Sequence, residues 1–170
     1  MNLTIMLLVS MAAALLQMMV PVLNWAGQAR LLVLAAVAVY YALYRETHVA
    51  LCGAFVAGLM HDVLSPVPLG YSSFLLIILT FMIGRVRHLV HPDAIITGMF
   101  FGGFITLAFT IGMHLLLYYG GHARWPWSMV WVKAIWQALL VALVTPWVCL
   151  LCRRLDGWVG NVEVREAFHA

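Results

Sequence analysis

Apolar residues gather in six stretches along the chain, roughly 3–23, 29–44, 47–64, 68–84, 94–119 and 129–152, broken by Arg, Pro, Gly and Trp. About 20 apolar residues let a helix cross the ~30 Å hydrocarbon core of a bilayer. The pattern therefore predicts an all-α membrane protein with six transmembrane helices in one compact bundle. The second and fourth stretches are short, and are expected to occupy locally buried positions or to lean on flanking residues such as Arg30, whose stem can snorkel to the headgroups. The first stretch exceeds a signal-peptide core and has no Lys or Arg before it, so a retained helix is expected. No polar linker, low-complexity tract or internal repeat divides the chain, and a single domain over residues 1–170 follows.

Composition agrees with the pattern: 65% of the 170 residues are hydrophobic and 9% charged, with a mean hydropathy of +1.02. Ordinary soluble domains are far more charged. The net charge of +3 fits membrane anchoring and carries no nucleic-acid signal. Basic residues set the orientation. With the N-terminus cytoplasmic, that side collects Arg45, Arg85, Arg87, Arg153, Arg154 and Arg165, against Arg30, Arg124 and Lys133 on the other. The bias predicts N-in and C-in, with Arg85, Arg87, Arg153 and Arg154 as cytoplasmic anchors. Trp125, Trp127 and Trp131 then lie at the outer interface, and Tyr40, Tyr41 and Tyr44 at the inner one.

Small residues mark where helices approach closely. Gly53, Ala54, Ala57 and Gly58 form overlapping small-xxx-small pairs in the third stretch, and Gly98 and Gly102 form another in the fifth, continuing through Gly103, Thr106 and Thr110.

Polar residues inside the apolar stretches are costly and call for partners. Asp62, Gln17, His114, Lys133 and Gln137 all fall in the outer half, with Lys133 and Gln137 four apart on one helix face. Two arrangements suit them. Asp62 pairs with Lys133, or caps turn backbone, to hold the helices in register; or the group lines an outward-facing polar cavity for a ligand or a partner's segment. The turn after Asp62 is mechanically explicit: Ser65 can cap the next helix, Pro66 and Pro68 fix the backbone, and Gly70 permits close approach. Cys149 and Cys152 form a CxxC without neighbouring His ligands, which reads as packing rather than zinc. Ser72 and Ser73 with His61 and His114 are the sole hint of a hydrolase, and no nucleophile–base–orienter pattern accompanies them.

The run Ala57-Gly58-Leu59-Met60-His61-Asp62-Val63-Leu64, followed by Pro68-Leu69-Gly70 and Ile83-Gly84-Arg85, resembles the bacterial rod shape-determining MreD family. Tyr40 to Tyr44, the chain length and the six stretches agree, and the resemblance covers roughly residues 30–90. It implies a non-enzymatic inner-membrane scaffold without cofactor or metal, one that associates with the bitopic protein MreC. Through MreC it reaches the wall-synthesis glycosyltransferase and its class B penicillin-binding partner. Membrane lipid and a second copy of the chain are further candidate partners. Gly58, Asp62, Pro68, Leu69, Gly70, His114, Lys133 and Gln137 are the candidate partner or cavity residues. The family is also similar in fold to the substrate-binding components of energy-coupling-factor transporters, which makes a vitamin-binding component the alternative. Such components bear an Ala-x-x-x-Ala pattern in the first helix, where this chain has Ala12, Ala13 and Ala14 in a row.

Overall fold

The computed structural model describes residues 3–19, 30–65, 67–86, 95–121 and 126–158. These form six helices: α1 (Leu3–Met19), α2 (Val33–Tyr44), α3 (Thr47–Leu64), α4 (Tyr71–Val86), α5 (Ile95–Tyr119) and α6 (Trp127–Trp158). Order and number agree with the six apolar stretches. The lengths do not all agree with six crossings. Helices α3, α5 and α6 contain segments long and apolar enough to cross a membrane, whereas α1, α2 and α4 are shorter apolar helices.

Helix α2 organises the bundle. Its residues Val33 to Leu43 are all buried, and it packs against each of the other five helices. At 12 residues it is about 18 Å long, too short to span 30 Å of hydrocarbon. An all-round apolar sequence such as VLAAVAVYYALY suits this central position, because no side of it meets solvent or lipid. Around it α3 pairs most extensively with α4, and α5 with α6.

The small-residue faces are the seams of these pairings. Gly53, Ala54, Ala57 and Gly58 are buried on α3. A side chain added at Gly53 would stand 3.0 Å from the Tyr41 ring of α2. On α5, Gly102 lies directly against Thr145 of α6, where a Cβ would come within 2.8 Å of the Thr145 Cβ. The Thr145 hydroxyl is turned onto its own helix, donating to the Val141 carbonyl at 2.6 Å. At Gly102 close approach is thus achieved with the Thr145 hydroxyl matched.

The bundle has two chemically distinct ends. At one end α2 finishes and α3 begins, and Arg45, Glu46, His48, Arg85, Arg153 and Arg154 collect there. The Arg153 guanidinium lies over the Tyr44 ring at 5.4 Å and that of Arg85 over Phe81 at 5.2 Å, so both charges rest on aromatic faces at this end. Arg87 lies outside the described residues. At the opposite end, α3 turns into α4 and the polar residues Gln17, Arg30, His61, Asp62, His114, Lys133 and Gln137 are found.

Candidate functional site

The α3–α4 hairpin is built around one carboxylate. Asp62, 2% exposed, accepts hydrogen bonds from the backbone N–H of Gly70 at 2.7 Å and of Ser72 at 3.1 Å. Gly70 immediately precedes α4, so the carboxylate of one helix caps the first turn of the next. The start of a helix presents unpaired N–H groups and the positive end of its dipole, and a carboxylate answers both. The cap expected from Ser65 is therefore supplied by Asp62. Ser65 serves the turn through its backbone instead, its N–H bonded to the Asp62 carbonyl at 3.3 Å and its carbonyl accepting from Val67 at 2.8 Å.

Gly58 and Gly70 make this capping possible for different reasons. Gly58 stands one turn before Asp62 and faces the first turn of α4: an added Cβ would press on Ser73 Cα and lie 2.6 Å from Ser73 N. Gly70 has φ of +100°, with nothing within 4 Å of a notional Cβ, so its constraint is backbone conformation rather than space. The Gly-x-x-x-Asp spacing places the contact and the acceptor on the same face of α3. Pro68 and Leu69 are exposed on the turn; Leu69 and Val63, each 72% exposed, present apolar side chains beside the cap. Pro66 lies outside the described residues.

Both carboxylate oxygens are thus engaged by backbone. The expected pairing with Lys133 is not formed: among the described residues no ion pair joins Asp62 to a cation. Ser72 and Ser73, weighed as nucleophiles, are buried in the same seam, and the Ser73 hydroxyl donates to the Phe55 carbonyl at 3.4 Å. They belong to the packing of α3 on α4.

A second polar group lies around the N-terminus of α2. The Gln17 side-chain nitrogen is 3.1 Å from His61 Nδ1, and its oxygen accepts from the Leu34 N–H at 3.4 Å, so one amide links α1, α2 and α3. Gln137 donates to the Arg30 carbonyl at 3.0 Å, and its oxygen lies 3.1 Å from the Thr110 hydroxyl, which also bonds the Thr106 carbonyl at 2.8 Å. His114, one turn further along α5, is buried with its ring edge-on to Trp127 at 4.8 Å. Lys133, one turn from Gln137 on α6, is half-buried.

The candidate residues therefore separate into two sets. Gly58, Asp62, Pro68, Leu69 and Gly70 form the hairpin; His114, Lys133 and Gln137 belong to the α5–α6 face that meets the start of α2. Sequence reasoning missed Arg30 as the anchor of the second set, because its backbone carbonyl makes the bond. It also missed Thr145, whose contact with Gly102 has no signal beyond the small residue opposite.

Cys149 and Cys152 are buried on α6, in keeping with packing.

Residues 1–155 match the family model of the rod shape-determining protein MreD. The chain belongs to the MreD family. The match takes in all six helices except the last turn of α6, well beyond the 30–90 stretch that carries the resemblance. Neither the curated proteins nor the solved structures yielded a match. Membership of the MreD family gives the protein a role in rod shape determination and makes it a membrane protein, in accord with its three long apolar helices.

Proposed function

We propose that the protein is a multi-pass inner-membrane scaffold of the cell-elongation complex. It binds an MreC-like bitopic protein and through it supports lateral peptidoglycan synthesis by a glycosyltransferase and a class B penicillin-binding protein. All six helices are embedded, with both termini cytoplasmic. Helix α2 is carried wholly inside the bundle. The cluster of Arg45, Arg85, Arg153 and Arg154 at one end supports this orientation, since basic residues are retained on the cytoplasmic side. The hairpin then faces outward.

The observation that carries the scaffold reading is the backbone-locked α3–α4 hairpin. Asp62 and Gly58 fix the turn, and Val63 and Leu69 stand out from it as apolar contacts at interfacial depth. A preorganised apolar edge loses little freedom when a partner's segment docks. Its chemistry is positional: the carboxylate is consumed by the fold and the adjacent serines are buried, which favours binding over catalysis.

The vitamin-binding alternative is disfavoured by α1. Ala13 and Ala14 are buried in the bundle and only Ala12 is exposed, so α1 does not offer an Ala-x-x-x-Ala face to a coupling subunit. Co-expression with the MreC-like protein and purification through a tag on this chain tests the scaffold reading. Stoichiometric recovery of the partner is expected, together with loss of recovery in Leu69→Asp at unchanged accumulation. Equal recovery by Leu69→Asp would remove the hairpin from the interface, and a stoichiometric vitamin in place of the partner would overturn the scaffold.

A further inference from the structure

Gln17 joins three helices through one amide, and its neighbours fix which way that amide points. Leu34 is the second residue of α2, so its N–H has no acceptor within the helix. It lies 3.4 Å from Gln17 Oε1 and can only donate, which assigns the amide oxygen to that side. The amide nitrogen, which carries two N–H groups and accepts nothing, is then the atom 3.1 Å from His61 Nδ1. Nδ1 must therefore accept. An imidazole that accepts at Nδ1 holds its one proton on Nε2 and is neutral.

A second proton on this ring goes to Nδ1 and sets two donors against each other. Turning the amide over would restore a bond to His61, but it would then present the amide N–H groups to the Leu34 N–H. One of the two contacts is lost in either position, so the amide cannot serve α2 and a charged His61 together. The surroundings offer no replacement. The ring meets Phe109 of α5 edge-on at 5.4 Å, and α1 brings no titratable residue. At this end α4 contributes Tyr71 and α5 contributes His114, while Lys133 of α6 and Arg30 ahead of α2 are both positive. Asp62, next in the chain, is the one group that favours charge on the ring, and its carboxylate is held toward α4 by Gly70 and Ser72.

We propose that His61 is a proton-operated latch: neutral, it ties α1 and the start of α2 to the hairpin helix α3 through Gln17, and protonation releases that tie. The folded bundle needs the neutral ring and the unfolded chain does not. The contribution of the latch is therefore present at high pH and is lost as the ring takes up a proton. The inference does not depend on what docks at the hairpin, because both the proton and the amide belong to this chain alone.

Two measurements on the full chain in detergent test it. Long-range proton–nitrogen correlation spectra of histidine-labelled protein at about pH 8 should show a ring protonated on Nε2 whose signals vanish in His61→Gln. A proton on Nδ1 of that ring overturns the latch. Thermal midpoints of the wild type should fall between about pH 8 and pH 4 by on the order of 3 °C more than those of His61→Gln, whose side-chain oxygen accepts from Gln17 at either pH. Gln17→Glu should escape the extra fall as well, since a carboxylate accepts both from the Leu34 N–H and from a charged ring. A fall as large as that of the wild type in either variant overturns the proposal. Should His61→Gln fail to fold, Gln17→Glu supplies the comparison and marks the His61 signals by shifting them.

Discussion

Replacing Gly58 by alanine adds one methyl group and should be among the most damaging small changes in the protein. The added Cβ would lie 2.6 Å from Ser73 N and press on its Cα, both backbone atoms that cannot rotate away. Ordinary contact needs about 3.5 Å, so the start of α4 must retreat by at least roughly 0.9 Å. Ser72 N, one residue before, is 3.1 Å from the Asp62 carboxylate. A retreat of that size stretches the bond to about 4 Å, past hydrogen-bonding range. The expected loss combines overpacking of ~1–3 kcal/mol with ~1–2 kcal/mol for the charged cap, or about 2–5 kcal/mol together. Gly84 on α4 supplies the comparison, because nothing lies within 4 Å of a Cβ there. Alanine at that helical position should be neutral or stabilising by up to about 1 kcal/mol. Thermal unfolding of the purified variants in one detergent reads the difference: a midpoint lower by on the order of 10 °C for Gly58→Ala, and unchanged or raised for Gly84→Ala. Matching midpoints for the two variants would refute the close approach of α3 and α4.

The capping role of Asp62 predicts that Asp62→Asn loses about 1–3 kcal/mol by placing an amide donor where two N–H groups need an acceptor. Because Lys133 is not its partner, the double change with Lys133→Met should be additive within about 0.5 kcal/mol in the same thermal assay; strong coupling would restore the ion pair. Gly102→Ala should destabilise through contact with Thr145, and Thr145→Ala in the same chain should recover much of the loss, whereas no recovery would place the strain elsewhere. Reporter fusions after Arg154 should read cytoplasmic and fusions at Gly121 external, and the reverse pattern would invert the bundle.

Element number and order were legible in the sequence because apolar runs of helical length are separated by Arg, Pro and Gly. Which runs are long enough to cross was less legible. The second and fourth apolar stretches start at 29 and 68, yet Leu32 and Gly70 adopt non-helical backbone, and α2 and α4 begin at Val33 and Tyr71. The small-residue stripes announced close packing but not the neighbour, since Gly58 and Gly102 specify an absence that Ser73 and Thr145 happen to fill. At the hairpin the sequence left two roles open for Asp62, pairing or capping. Shared depth pointed to pairing with Lys133; the turn instead brings Gly70 and Ser72 back onto α3, and backbone N–H groups nearby in the chain win over a side chain on another helix. Polar links made through carbonyls, such as Gln137 to Arg30, carry no residue-type signal at the accepting end.

The central claim is that the α3–α4 hairpin meets an MreC-like partner outside the membrane core. Photocrosslinking in living cells tests it, with benzoylphenylalanine placed at Leu69 on the turn and, separately, at Leu150 on the exposed face of α6 near the arginine end. The account predicts a covalent adduct of this chain with the bitopic partner from Leu69, abolished when Gly58→Leu disrupts the hairpin. Adducts formed from Leu150 with none from Leu69, at equal accumulation, would contradict it.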